Sequence, residues 1–338
     1  MGLFDFFKKF TSQEENNQNK MNIAINIENE IPAILKKKLP NGLLPGEIIL
    51  MDWVRGKSAP LNYPQYFELS YGINPSHSTV KLFQKGYLEY SNDPCLALSN
   101  LTVSELKAIL KSHNLKVSGK KSELINRIIE NEAYNDQEIN SEKIYDISSA
   151  GLAYFRPYSY IVEAHKDRYV PVDEIIQYQD TFPDWCTNYN DMKWAYLGIK
   201  GMEYWQSYSF GLLRNNYSAR ADMLLREGRL IDSLRDYIVV TLYDCSGLDN
   251  SCEFTKKAHY MEDQAVEYML DKIIKINNKI DSKDYEEAFQ GAITEFSPAM
   301  HLTYIDKEDL LYFKKELRNP SKKRIDNYLK KYDKPEFY

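Results

Sequence analysis

Residues 101–130 constrain their own fold more tightly than any other stretch of the chain. Thr102 and Glu105 form a T-x-x-E capping box that predicts a helix starting at Val103. Val103, Leu106, Ile109 and Leu110 recur at the spacing of one helical face, and Lys107 and Lys111 stand four apart on another. Asn114 tolerates the left-handed conformation that stops a helix. Leu115 and Val117 are expected to enter the core through a short extended link. Ser118 is then expected to cap a second helix whose buried stripe is Leu124, Ile125, Ile128 and Ile129. Two helices in thirty residues make a marginal core, so the unit is expected to lean on its neighbours.

The charge of this segment runs against that of the chain. Lys107, Lys111, Lys116, Lys120, Lys121 and Arg127 oppose Glu105, Glu123 and Glu130, a local +3 where the whole chain is −6. That overall charge excludes a general polyanion binder and requires any nucleic-acid contact to be a local patch. The turn Lys116-Val117-Ser118-Gly119-Lys120-Lys121 sets a helix N-terminus, a hydroxyl and two ammonium groups together, which favours a phosphate. Gly119 adds room for a close backbone approach.

The run L-T-V-x-E-L-K-x-x-L-x-x-x-x-L-x-V-S-G-x-K-x-x-L-I-x-R-I resembles the SAP motif nearly throughout, with Asn114 where the family often has Gly. The resemblance implies a small helix-turn-helix module at residues 99–132. It also implies binding to duplex DNA through the basic turn and the start of the second helix. The candidate contact residues are therefore Lys107, Lys111, Lys116, Ser118, Gly119, Lys120, Lys121 and Arg127. With so few cations, the binding is expected to be weak, salt-sensitive and sequence-tolerant.

Residues 1–10 place Leu3, Phe6, Phe7 and Phe10 on one side of a short amphipathic helix, and residues 11–20 read as a polar linker. The aromatic stripe could dock on this protein, on a partner or on a lipid surface. Residues 21–98 carry mixed signals. Prolines and glycines in LPNGLLPGE enforce turns, and residues 48–54 suit a short strand or a helix. A helix over residues 63–71 ends at Gly72-Ile73-Asn74. Pro75, capped by Asn74, opens another helix running to about Lys85. A turn at Gly86 leads into an extended Tyr87–Tyr90. Helix, tight turn, helix and strand resemble the opening of a winged-helix domain, and an ordinary helical platform is the alternative.

Residues 133–338 are expected to form a larger, mostly helical domain with minor β. The aromatic, β-branched run 158–162 reads as a strand, and Asp173 to Tyr178 as a short helix. The tryptophans at 185, 194 and 205 suit core packing better than base stacking, because no basic groove accompanies them. In residues 214–244, Ser218 is expected to cap a helix ended by Gly228. Leu230, Leu234, Tyr237 and Ile238 line the next helix. That pair resembles one tetratricopeptide hairpin without a second copy. Further helices are expected over 256–278, 283–290, 307–318 (capped by Asp306) and 320–332 (capped by Asn319). The last 25 residues carry a local +5.

The five histidines are dispersed, and the four cysteines make no CxxC pair, so no metal site is expected. His259, Glu262 and Asp263 read as a surface cluster. No phosphate-binding glycine loop or nucleophile elbow occurs, so neither a cofactor nor a catalytic residue is assigned. Sparse cysteines suit a reducing cytoplasm. The leading expectation is a mainly α, multi-domain DNA-binding accessory protein. The rivals are a helical protein-interaction adaptor with its partner on the C-terminal helices, in which the SAP-like module is structural, and a peripheral membrane protein held by residues 1–10.

Overall fold

A computed structural model describes residues 31–91, 93–134, 143–248 and 264–332. The expected N-terminal amphipathic helix, the linker after it and the His259 cluster lie outside these residues. The fold is mainly α, with one two-stranded antiparallel sheet among the described residues. The chain forms two compact units divided between Asp180 and Thr181. Residues 145–180 thus pack with the first unit, although the sequence suggested a C-terminal domain starting at 133.

In the first unit, α1 (Pro45–Val54) is the central helix and is buried along most of its length. Residues 48–54 are therefore helical, with Pro45 opening the helix. Glu47 stands at its start, accepts from Leu44 N at 3.0 Å and is 1 % exposed. Its charge is neutralised by Lys81 Nζ at 2.7 Å. A Cβ on Gly46 would lie 2.8 Å from Tyr71 Cβ, so only glycine lets α1 press against the turn beyond it.

The helix expected over 63–71 is shorter, α2 (Tyr66–Leu69). Gly72 at φ +64° reverses the chain, and Asn74 Oδ1 accepts from His77 N at 2.9 Å to open α3 (Pro75–Gln84). β1 (Leu88–Tyr90) pairs antiparallel with β2 (Tyr145–Ile147), Glu89 facing Asp146. The other edge of β2 is also bonded: Gly56 N donates to Tyr145 O at 2.8 Å and Tyr145 N to Lys57 O at 3.0 Å. Between β1 and β2 in sequence come α4 (Pro94–Asn100), α5 (Val103–Ser112) and α6 (Lys121–Glu130).

After β2 the chain continues as α7 (Ser149–Phe155), α8 (Ser159–Lys166) and α9 (Val172–Tyr178). The strand expected at 158–162 is thus the start of α8. Tyr160, Ile161, Val162 and Ala164 are all buried, and α8 packs on α1. A short apolar run does not separate a buried helix from a buried strand, and here tertiary burial decided for the helix.

The second unit comprises α10 (Tyr189–Gln206), α11 (Phe210–Arg226), α12 (Leu230–Ser246), α13 (Gln264–Asn277), α14 (Ser282–Phe296), α15 (Lys307–Glu316) and α16 (Lys322–Leu329). Helix α12 lies at its centre, packed by α11, α13 and α14, and is buried without a break from Val239 to Ser246. The hairpin of α11 and α12 turns at Gly228, φ +76°. Ser233 Oγ donates to Ala221 O at 2.9 Å, and Tyr237 Oη to Asp222 Oδ1 at 2.6 Å. Ser218 does not cap a helix: it is buried in the middle of α11, because the helix begins two turns earlier at Phe210. Asp306 caps α15. Asn319 does not cap α16, whose N-cap is Ser321. Of the tryptophans, Trp205 packs edge-on against Phe210 and Trp194 Nε1 donates to Glu227, whereas Trp185 is 58 % exposed.

Candidate nucleic-acid interface

The core of the inserted segment is built from three helices rather than two. Leu106 and Leu110 of α5, Leu124 and Ile128 of α6, and Leu98 of α4 are all fully buried, with Ala133 closing the end. Leu98 brings the preceding helix into the module, which supplies the support that two helices alone lack. The box at its head is closed: Thr102 N donates to Glu105 Oε2 at 2.6 Å and Glu105 N to Thr102 Oγ1 at 3.3 Å. Those bonds, the backbone one foremost, hold the Glu105 carboxyl below the usual glutamate range, with Lys121 adding to the pull. Asn114 adopts φ +58° at the end of α5, as its residue type suggested.

Two apolar assignments are corrected. Val103 is 41 % exposed and Val117 is 39 % exposed, so neither enters the core. Only Leu115 of the link packs there. Ser118 is not a cap either: α6 starts two residues later, with Lys120 as N-cap, and Lys120 N donates to Glu123 Oε2 at 3.0 Å.

This shift explains Gly119. It sits at φ +136°, and a Cβ there would lie 2.5 Å from Glu123 Oε2. The glycine is therefore demanded by the turn and by the carboxylate folded over it, before any ligand is considered.

The cations expected to meet phosphate fall into two groups. Lys121 Nζ donates to Ser99 O at 2.7 Å and ties α6 to the end of α4. Arg127 Nη1 donates to Lys116 O at 2.5 Å and Ser118 O at 3.1 Å, so it braces the turn from behind. Lys107, Lys111, Lys116 and Lys120 are exposed, and their side chains have no hydrogen-bond or ion-pair partner among the described residues. The turn between Lys116 and Lys120 also exposes Val117, Ser118 and Gly119. The N-cap side chain, Lys120, makes no cap bond to α6, and the Glu123 carboxylate accepts only from the Lys120 N–H at the helix start. The bracing roles of Lys121 and Arg127 had no signal in the sequence, because both bonds end on backbone carbonyls whose positions depend on the folded turn.

The basic C-terminal stretch is arranged differently. Arg324 pairs with Glu316 at 2.9 Å, Lys322 with Asp326 at 2.9 Å and Lys331 with Asp309 at 2.7 Å, so much of its charge is spent internally. Among the described residues no group of three or more His, Cys, Asp or Glu could hold a metal ion. Nor is any described helix long and apolar enough to cross a membrane.

Comparison with known families matches residues 97–133 to the SAP domain. The matched span begins within α4 and ends at Ala133, the limits of the three-helix core. No curated protein and no solved structure matches the chain.

Proposed function

We propose that this protein is a DNA-associated accessory protein that holds duplex DNA by its phosphate backbone through the SAP-type module. The carrying observation is the exposed turn in front of α6. It combines Lys116, Lys120 and the Ser118 hydroxyl with the N-terminus of α6, where the Glu123 carboxylate takes the Lys120 N–H and no N-cap side chain covers the N–H groups that follow. Backbone N–H groups and a positive helix end favour phosphate oxygens, and the two ammonium groups add charge without reading sequence. Lys107 and Lys111 extend the cationic surface, while Gly119, Lys121 and Arg127 shape the turn. A cytoplasmic setting and a protein partner for the C-terminal helices accompany this reading as expectations from sequence.

The test is binding of the full chain to a labelled duplex across a salt series. Four lysines each meeting a phosphate give a slope of log K against log salt near about −3.6. Replacing Lys116 and Lys120 by Glu is expected to weaken binding by about tenfold or more at low salt and to flatten the slope by roughly two. Affinity and slope both equal to wild type would show that the turn does not touch DNA and that the module is architectural.

A further inference from the structure

The second unit carries a groove of about 320 Å³, lined by α10, α11, Tyr243 of α12 and the end of α14. That volume is at the small end of ligand clefts. One wall is open because of glycine. Gly198 and Gly201 stand one turn apart in the middle of α10, where glycine weakens a helix. A Cβ on Gly201 would lie 3.4 Å from Asn216 Oδ1, and Asn216 Nδ2 donates to Leu197 O at 2.8 Å, so that glycine sits where α10 and α11 meet closely. A Cβ on Gly198 would meet nothing within 4 Å. Packing does not ask for glycine at 198, and a side chain there would project over the groove.

The groove also holds a polar cluster with an uncompensated charge. Tyr217 Oη donates to Glu295 Oε2 at 2.8 Å. Glu295 has no other hydrogen bond and no ion pair among the described residues, so its second oxygen is uncommitted. Tyr243 lines the same groove and is 2 % exposed, yet its hydroxyl has no hydrogen-bond partner among the described residues. A buried phenol normally finds one. Burial, and after it the charge of Glu295, raises both phenols above their ordinary range, so both stay protonated in the field of that carboxylate. The nearby cations are already compensated. Arg220 Nε lies 3.1 Å from Asp236 Oδ2, with its guanidinium over the Tyr217 ring, and Arg235 is bonded to Asp232 and Asp236. The charge left without a partner is negative.

Leu197, Leu213 and Trp205 supply the apolar part of the lining. Trp205, Tyr217 and Tyr243 bring aromatic rings, whose faces attract cations. We propose that this groove binds a small amphipathic organic cation, its ammonium held by Glu295 and the Tyr243 oxygen and its apolar body laid along Leu197, Leu213 and Trp205. A carboxylate and a phenol oxygen both accept from ammonium N–H groups. The residues involved all belong to the second unit, so the outcome does not depend on DNA binding.

The experiment is calorimetric titration of the full chain with three probes of similar shape: phenethylammonium, neutral 2-phenylethanol and anionic 3-phenylpropionate. Phenethylammonium is expected to bind saturably and about tenfold or more tighter than the alcohol, and the carboxylate not to bind. Glu295→Gln is expected to weaken phenethylammonium about tenfold and to leave 2-phenylethanol unchanged, a split that a merely structural role for Glu295 would not produce. Gly198→Phe is expected to abolish binding of both, with the melting temperature unchanged or raised, because phenylalanine is the better helix former. Equal affinity for the three probes, preference for the carboxylate, or no saturable binding of phenethylammonium would each overturn the proposal. So would undiminished phenethylammonium binding in both variants.

Discussion

The smallest features of this protein do more positional work than their charge suggests. Glu105 and Glu123 each fold back over a helix start, and the second of them dictates a glycine at 119. For Glu105 the consequence is a pH dependence with a definite sign. Its folded-state pKa is depressed, so its contribution is present above the unfolded glutamate value of about 4.3 and is lost as pH falls through the folded value. Acid titration of the helical signal is expected to show early fraying of α5. In Glu105→Gln, which retains an acceptor for Thr102, that fraying is expected to lose its dependence on pH. Identical acid titrations of the two proteins would contradict the capping role. Lys121 and Arg127 give the opposite lesson. In sequence they look like ligand contacts, yet their nitrogens end on carbonyls of the module itself.

At the level of elements, what could be read in advance was local. The caps at Asn74, Thr102 and Asp306, the left-handed Asn114 and the break at Gly228 depend on residues within one turn of chain, and the structure has each of them. Residues 158–162 went the other way because their fate was set by a distant partner, the packing of α8 on α1. The start of α6 is local too, but it is fixed by Glu123 bonding back to Lys120 N rather than by the Ser118 hydroxyl. The pairing of β1 with β2 spans the whole insert and left no mark in either strand. Helix α12 shows how strongly such packing binds. Asp236 is fully buried between Arg220 at 3.1 Å and Arg235 at 2.9 Å, and burial pushes its carboxyl up against their pull. Asp236→Ala would leave the partly exposed Arg220 without this carboxylate and Arg235 with Asp232 alone, and is expected to destabilise the second unit by up to about 3–5 kcal/mol. Denaturant midpoints measure it, and a change under about 1 kcal/mol, well below typical buried-pair losses, would mean that solvent reaches the pair.

For the molecule as a whole, the decisive fact is where one module sits inside another. Because Ser91 and Ile144 are hydrogen-bonded, residues 92–143 are expected to be replaceable by a two-residue glycine-rich turn without loss of the host fold. Thermal melting of that shortened chain should retain a cooperative transition. Its disappearance would show that the host needs the insert to close its hairpin. The compositional reading made the chain acidic overall and basic in one place, which was correct as arithmetic. It could not say that the basic place is carried on the loop of a second domain, because nesting is a property of topology rather than of composition.

Ser91 and Ile144 also alter the odds of staying bound. A module at the end of a linker is attached by a single tether, whose slack dilutes its second encounter with a ligand. This one is held by both ends, and its leash cannot lengthen unless the hairpin opens. On the proposed reading, a duplex held at the basic turn stays within reach of the host domain, at effective concentrations that short connections raise to about the millimolar range. A weak grip at the turn would then be enough to keep the host domain beside its ligand.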